Sequence, residues 1–194
     1  IVARLKQQGL VQARQADPRT LVRRVTYDLV GLPPTPEEVR DFLTSWSRDP
    51  DAAMAGLVDR LLDSSHYGER WGRHWLDLVR YADTAGDASD FPIPEAYKYR
   101  NYVIDSFNKD KPYDQFIREQ LAGDLLPFDN DNQHWEQTIG TGFIAISRRI
   151  GVSPQNLGHI TIEDTIDNIG KTFLGLTVSC ARCHDHKFDP IPTR

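Results

Sequence analysis

Asp17-Pro18-Arg19-Thr20-Leu21-Val22-Arg23-Arg24-Val25-Thr26-Tyr27-Asp28-Leu29-Val30-Gly31 reads as one helix with both of its ends marked. Aspartate followed by proline supplies a cap and a first helical residue whose missing N–H has no partner to lose there. Leu21, Val22, Val25 and Leu29 recur at helical steps to form an apolar face, and Gly31 stops it. Another start follows at once. Thr35-Pro36-Glu37-Glu38 sets a glutamate three residues after a threonine, a capping box leading into Val39, Phe42, Leu43 and Trp46. Asp49-Pro50 opens a third helix, with Met54, Leu57, Val58, Leu61 and Leu62 inward.

Working outward, His66 to Tyr81 carries Tyr67, Trp71, Trp75, Leu78 and then Ala82 at steps of three and four, which predicts a buried helix with an aromatic stripe. Residues 83–94 hold Asp83, Gly86, Asp87, Ser89, Asp90, Pro92 and Pro94 and read as a loop. Beyond it, Ala96, Tyr99, Val103, Ile104 and Phe107 predict a helix, and Pro112 leads into Tyr113, Phe116, Ile117 and Leu121. Pro127 to Gln133 is a polar connector, His134 to Ile146 is read as helix, and Gly151 to His159 as irregular. Thr161 with Asp164 resembles a second capping box, followed by Ile162, Ile166, Ile169 and Phe173 on one face. That helix is expected to end between Gly175 and Ser179 and to run directly into Cys180. The pattern is mainly α: an irregular helical domain of roughly eight segments, read as a single domain over residues 1–194.

Charge and composition narrow the functions. Twenty-three Lys and Arg against 28 Asp and Glu leave a formal charge of −5, with the signs interspersed and no basic tract to follow a phosphate backbone. Nucleic acid is therefore not an expected partner. No apolar run approaches the length of a membrane span, and no leader pattern is present. A start at Ile1 without methionine and a stop after Pro192-Thr193-Arg194 suggest a fragment of a longer chain.

The chemistry is concentrated near the end. Cys180-Ala181-Arg182-Cys183-His184 holds both cysteines of the chain in the pentapeptide spacing of c-type haem attachment. Two thiols on one tight turn can form thioethers to one porphyrin, and the adjacent imidazole of His184 reaches the iron as proximal ligand. A thioredoxin-like dithiol, a disulfide, or a zinc site using His184 and His186 are the rivals. A dithiol wants a strand before the motif, and two histidines this close depart from the usual zinc-finger spacing. His186 lies too near the turn to cross to the opposite haem face. It is expected at the haem edge, bonded to a propionate, to backbone or to Asp189, or simply on the surface.

The sixth iron position decides between electron transfer and ligand chemistry. His74, His66, His159, His134 and Met54 are the candidates, with His74 read beside an apolar stripe where an imidazole needs a purpose or a partner; a core histidine bonded to Asp77 is the bland alternative, and core filling is the stronger reading of Met54. Asp83, Asp87, Asp90 and Glu95 could gather a cation or serve as acid and base, although loop acids are usually solvated. Asp129-Asn130-Asp131-Asn132 lacks the glycine and closing glutamate of a calcium loop and is assigned no metal.

Several long motifs in order carry a family resemblance. They are Arg23 to Pro36, His66 to Asp77, Lys111-Pro112-Tyr113-Asp114, Glu119 to Pro127, and Thr172-Phe173-Leu174-Gly175-Leu176-Thr177 with Cys180 to Ile191. In these the chain resembles the planctomycete-type cytochrome-related family PSCyt2, also called domain of unknown function 1549. The resemblance implies a large exported protein with a cytochrome-c-like domain upstream and a domain numbered 1553 downstream. It also implies haem c on Cys180, Cys183 and His184, while the motif holding His74, Trp75 and Asp77 has no assigned role. Covalent haem implies a periplasmic or other extracytoplasmic location. Three functions follow as expectations: electron relay between another haem or a redox partner protein and an acceptor; a haem-dependent oxidoreductase or peroxidase-like enzyme acting on carbohydrate; and a scaffold stapled by its haem.

Overall fold

The computed structural model describes residues 1–85, 90–146 and 158–193. It is mainly α-helical, and among these residues the extended pairing is a single antiparallel bridge between Thr84 and Pro92. Backbone bonds from Ala85 to Phe91 (2.9 Å) and from Ile93 to Asp83 (2.8 Å) close the base of that loop. Asp87, expected among the loop acids, lies outside the described residues, as does most of the stretch from Gly151 to His159. The chain forms two compact units, Ile1–Tyr67 and Gly68–Arg194.

In the first unit the local signals are met almost residue for residue, except that Leu62, expected inward, is exposed at the end of its helix. After α1 (Val2–Gln7), which buries nothing, come α2 (Pro18–Val30), α3 (Pro36–Trp46) and α4 (Pro50–Leu62). Asp17 Oδ1 accepts the Thr20 N–H at 3.1 Å, and Gly31 stops α2 at φ 74°, where a side chain would be strained. Both halves of the Thr35/Glu38 box are made, at 3.2 and 2.7 Å. Three helices started so firmly lay Val22, Val30, Phe42, Leu57 and Leu61 into one apolar core, with Met54 packed at its margin. Met54 is thus core filling, the stronger of its two expected roles.

The second unit begins inside α5 (Ser65–Leu78) and continues through α6 (Ala96–Asn108), α7 (Tyr113–Ala122), α8 (Asp131–Gly140), α9 (Gly142–Ala145) and α10 (Gly158–Ile169). Its core is aromatic: Trp75, Val79, Tyr99, Tyr102, Val103, Phe116 and Phe143. The face of α5 that goes inward is Gly68, Gly72 and Trp75, continued by Val79 just beyond its end, whereas Trp71 (37% exposed) and Leu78 (46%) face outward. This corrects the aromatic stripe read from sequence. Closeness to α6 explains it, because a Cβ on Gly68 would sit 2.4 Å from the Ile104 carbonyl and the Gly68 N–H donates to Asn108 Oδ1 at 2.7 Å.

Polar side chains also run through this core, and Gln120 and Glu119 are matched there, whereas Gln137 Oε1 and Asn168 Nδ2 are buried without a partner among the described residues. Gln120 Oε1 accepts from the Trp75 indole at 3.0 Å and from the Tyr99 hydroxyl at 2.6 Å. Glu119 takes Tyr102 (2.8 Å) and Lys111 on one oxygen and Gln115 (2.7 Å) on the other. Burial, followed by the Glu119 charge, pushes the Tyr102 phenol far up, so it stays a donor. The expected helix from His134 to Ile146 is present but interrupted at Thr141, with Asn130 capping α8 earlier than the polar connector suggested.

Candidate functional site

From α10 the chain does not run straight on into the cysteines, as the helical period had suggested; it doubles back. A π turn (Gly170–Leu174) and a left-handed Gly175 (φ 66°) reverse it, and the Leu176 N–H returns to the Gly170 carbonyl at 3.0 Å. Val178 then lies against Gly170, where a Cβ would meet its methyls at 2.9 and 3.0 Å, so only glycine lets the two segments approach this closely. The expected capping box at Thr161 is absent because α10 already begins at Gly158. Thr161 lies inside the helix, its carbonyl accepting from the Thr165 hydroxyl at 2.8 Å, and Asp164 instead forms a bidentate pair with Arg80 at 2.8 and 3.0 Å.

Cys180 sits in a 3₁₀ turn, Val178–Arg182, with Cys183 as its C-cap. In 3₁₀ geometry residues three apart eclipse, so Cys180 and Cys183 share one face while Ser179 and Arg182 share another. The second of these faces is pinned to α10. Arg182 pairs with Glu163 at 2.9 Å. Burial pushes the Asp167 carboxyl up, yet Lys171 and Ser179 outweigh it and hold the group below its usual range. Lys171 reaches Asp167 Oδ2 at 2.5 Å, whereas Oδ1 has no partner of hydrogen-bonding geometry, so Ser179 acts on this carboxylate as a nearby dipole. Both thiols remain free and exposed.

The two histidines beyond the turn differ sharply. His184 is exposed, and its Nδ1 lies 2.8 Å from the Asp185 carbonyl oxygen. A carbonyl only accepts, so Nδ1 carries the hydrogen, and in the neutral ring Nε2 is left with a lone pair directed elsewhere. His186 has both nitrogens occupied: Nδ1 accepts the N–H groups of Asp189 (2.9 Å) and Phe188 (3.3 Å), and Nε2 meets the Thr177 hydroxyl at 3.2 Å. Those two N–H donors fix the hydrogen on Nε2, so the Asp189 carboxylate 3.3 Å from Nδ1 is a neighbour rather than an ion-pair partner. Spanning from Thr177 before the cysteines to Asp189 after them, His186 braces the loop that carries His184. Asp185 closes the same loop, accepting the Thr193 N–H and hydroxyl, which hold its carboxyl below the ordinary range.

The other histidines are dispersed. His74 is exposed on the outer side of α5 with its ring edge-on to Trp71 at 5.5 Å, so it is not a core histidine. His66 is exposed at the start of that helix, His159 is exposed at the start of α10, and His134 lies against Phe128 in a tilted pair at 4.3 Å. Among the described residues no three His, Cys, Asp or Glu side chains gather as a cage for a metal ion. Two shallow clefts are lined by Pro112, Asp114, Arg118 and Gln137 and by Asp124, Thr141, Ile144 and Thr165, and neither lining includes a residue of the cysteine turn.

The family model described as "Protein of unknown function (DUF1549)", PSCyt2, matches residues 1–194. The chain belongs to the PSCyt2 family. No curated protein and no solved structure matches it. The family's short name alludes to cytochromes but assigns a role to no residue. Among the described residues of this PSCyt2 chain, no helix is long and apolar enough to cross a membrane. Sequence reading had located the cysteines and His184, but not Ser179, Arg182, Glu163 and Asp167, which fix the turn. Their charges and i,i+4 spacing on α10 were visible, but their partners become evident only once the chain reverses.

Proposed function

We propose that this domain binds one haem c through Cys180, Cys183 and His184 and relays electrons. The observation that carries this reading is the state of His184: one ring nitrogen is oriented by a backbone carbonyl, and Cys183 next to it in sequence and Cys180 both keep free, exposed thiols. Iron-ligating histidines are commonly held in this way, with the distant N–H donated to a carbonyl. The donor chemistry also fits, since two thiols on one face suit two thioethers to a single porphyrin, and a neutral imidazole suits iron. When bound, the haem supplies a one-electron couple. The chain's own part is to hold His184 through Asp185 and the His186 brace, and to hold the cysteine face through Glu163 and Asp167.

Relay is favoured over catalysis because the thiols and His184 lie at the surface and line neither of the described clefts. An exposed cofactor edge suits electron exchange with a docked partner, and the net charge of −5 suits a basic one. Partners proposed on family grounds are the cytochrome-c-like and 1553 domains of the same protein and an external redox protein. An extracytoplasmic location follows from covalent haem maturation. A potentiometric titration of matured protein, followed in the visible bands, is expected to show a reversible one-electron step; a haem that no donor reduces would refute the relay. The same spectra test His74 as sixth ligand: a low-spin species lost in His74→Ala supports it, and an unchanged spectrum leaves His74 as the partner of Trp71.

A further inference from the structure

Just past α5 the chain turns through Arg80, whose φ of 63° lies in the left-handed region that side chains seldom adopt. The turn is closed by the Tyr81 N–H, which returns to the Leu76 carbonyl at 2.9 Å, and the Arg80 side chain is held by Asp164. It sets the Tyr81 ring on Tyr99, with centroids 6.3 Å apart and planes 27° from parallel. The Tyr99 hydroxyl accepts the Trp75 indole N–H at 3.2 Å, and Trp75 meets Tyr113, a ring 58% exposed, edge-on at 6.4 Å. Four aromatic rings therefore connect the surface at α7 to Tyr81. The tyrosines differ in where a proton can go, and a phenol that loses one electron becomes a strong acid needing a base at its hydroxyl. Tyr99 donates to the Gln120 amide oxygen, which is no base, and Tyr102 faces a Glu119 carboxylate already taken by Lys111. The Tyr81 hydroxyl donates to the exposed Asp83 carboxylate at 2.5 Å. Burial, followed by that hydrogen bond, pushes the phenol up to about 12, so at neutral pH its proton is present to be moved.

We propose that Tyr81 is a redox-active tyrosine, the end of a one-electron path from Trp75 through Tyr99, and that Asp83 takes its phenolic proton. The oxidant is a metal centre of high potential in its oxidised state, meeting the protein at Tyr113. Trp75 gives it one electron and is refilled across the Tyr99 ring from Tyr81. The Tyr81 O–H bond breaks in that step, leaving a neutral tyrosyl radical, while the proton joins the Asp83 carboxylate to make a carboxylic acid. One electron has then passed to the oxidant, and no atom has left the protein. A reductant returning one electron to Tyr81 draws the proton back from Asp83 and restores both groups. The path contains neither cysteine nor His184, so it goes beyond the haem reading and is tested apart from it.

Flash photolysis of the full matured chain tests this, with ruthenium tris-bipyridine as photo-oxidant, a cobalt(III) ammine as its electron acceptor, and the tyrosyl radical read by transient absorption and freeze-quench electron paramagnetic resonance. The parent is expected to form the radical, and Tyr81→Phe, which keeps the ring, to lose most of it. Tyr27→Phe, at an exposed tyrosine of the first unit, is expected to keep it. Asp83→Asn, which preserves shape but takes no proton, is expected to slow radical formation about a hundredfold. Tyr99→Phe, which keeps its ring and breaks the hydrogen bond to Trp75, is expected to slow it as well. An undiminished radical in Tyr81→Phe, or an unchanged rate in Asp83→Asn or Tyr99→Phe, would overturn the proposal. The same radical is expected in Cys180→Ala/Cys183→Ala, where no haem can be attached; a radical that forms only with haem present would overturn the path while leaving the haem reading intact.

Discussion

The unit Ile1–Tyr67 and the unit Gly68–Arg194 are both helical, yet they are held by different physics. The first has short-range caps and a core of Val22, Val30, Phe42, Leu57 and Leu61, where the buried polar side chain on α2, Thr26, bonds back to the Val22 carbonyl one turn away. The second buries Glu119 and Gln120 among its aromatics and ties them to Tyr102 and Trp75 by hydrogen bonds that reach across 17 and 45 residues of sequence. An apolar core tolerates repacking, whereas a buried polar network holds its members in one arrangement and fails when a member is lost. The unit with the less forgiving interior is also the one that carries the cysteine turn.

The largest expected effect separates the two interiors. Phe42→Ala should destabilise the first unit by about 4 kcal/mol through its cavity, with hydrogen exchange rising in α2 to α4. Glu119→Ala should cost the second unit about 3 kcal/mol, because Lys111 and Tyr102 lose a buried acceptor, and exchange should rise in α6 and α7 instead. Replacing both ends, Lys111→Met with Glu119→Leu, should recover most of that loss; if the double variant is as unstable as the single, the network account of this unit is wrong.

A smaller effect sharpens the comparison at α5. Gly68→Ala should cost about 2 kcal/mol by overpacking against the Ile104 carbonyl, whereas Trp71→Ala, on the outward face, should change thermal stability little. Thr35→Ala should cost about 1 kcal/mol by removing the cap of α3. The same region sets an acid limit. Asp17 is held below its ordinary value chiefly by the Thr20 hydroxyl, and Glu38 chiefly by the Thr35 N–H. A carboxyl lowered in the folded state stabilises it above the unfolded value and loses that contribution as pH falls through the folded value. The starts of α2 and α3 should therefore loosen below the ordinary carboxylate range and remain intact at neutral pH, as amide exchange against pH would show.

The contrast also explains what could be read without coordinates. Asp17-Pro18, Gly31, Thr35 with Glu38 and Asp49-Pro50 each act within four residues of chain, so their helices were legible. The buried glycines of α5 were not, because their burial comes from α6 approaching them and leaves no hydrophobic signature. Thr161 and Asp164 carry the letters of a capping box, but Asp164 is claimed by Arg80, 84 residues away. At the site, Cys180, Cys183 and His184 stand in the spacing of a haem-attachment motif, which the sequence alone displays. The stop at Gly175 is where the sequence places it, but the turn that follows is not legible, since it depends on Val178 meeting Gly170 after the chain reverses.

The central claim is that two sulfurs on one face of a 3₁₀ turn carry a porphyrin whose iron is held by the open nitrogen of His184. Intact mass and pyridine-haemochrome spectra of the exported, matured chain, beside Cys180→Ala/Cys183→Ala, test it most directly. The account predicts one covalently added haem in the parent, with bands typical of two thioethers, and none in the double variant. A parent protein of unmodified mass, or one holding zinc at the two cysteines, would contradict it.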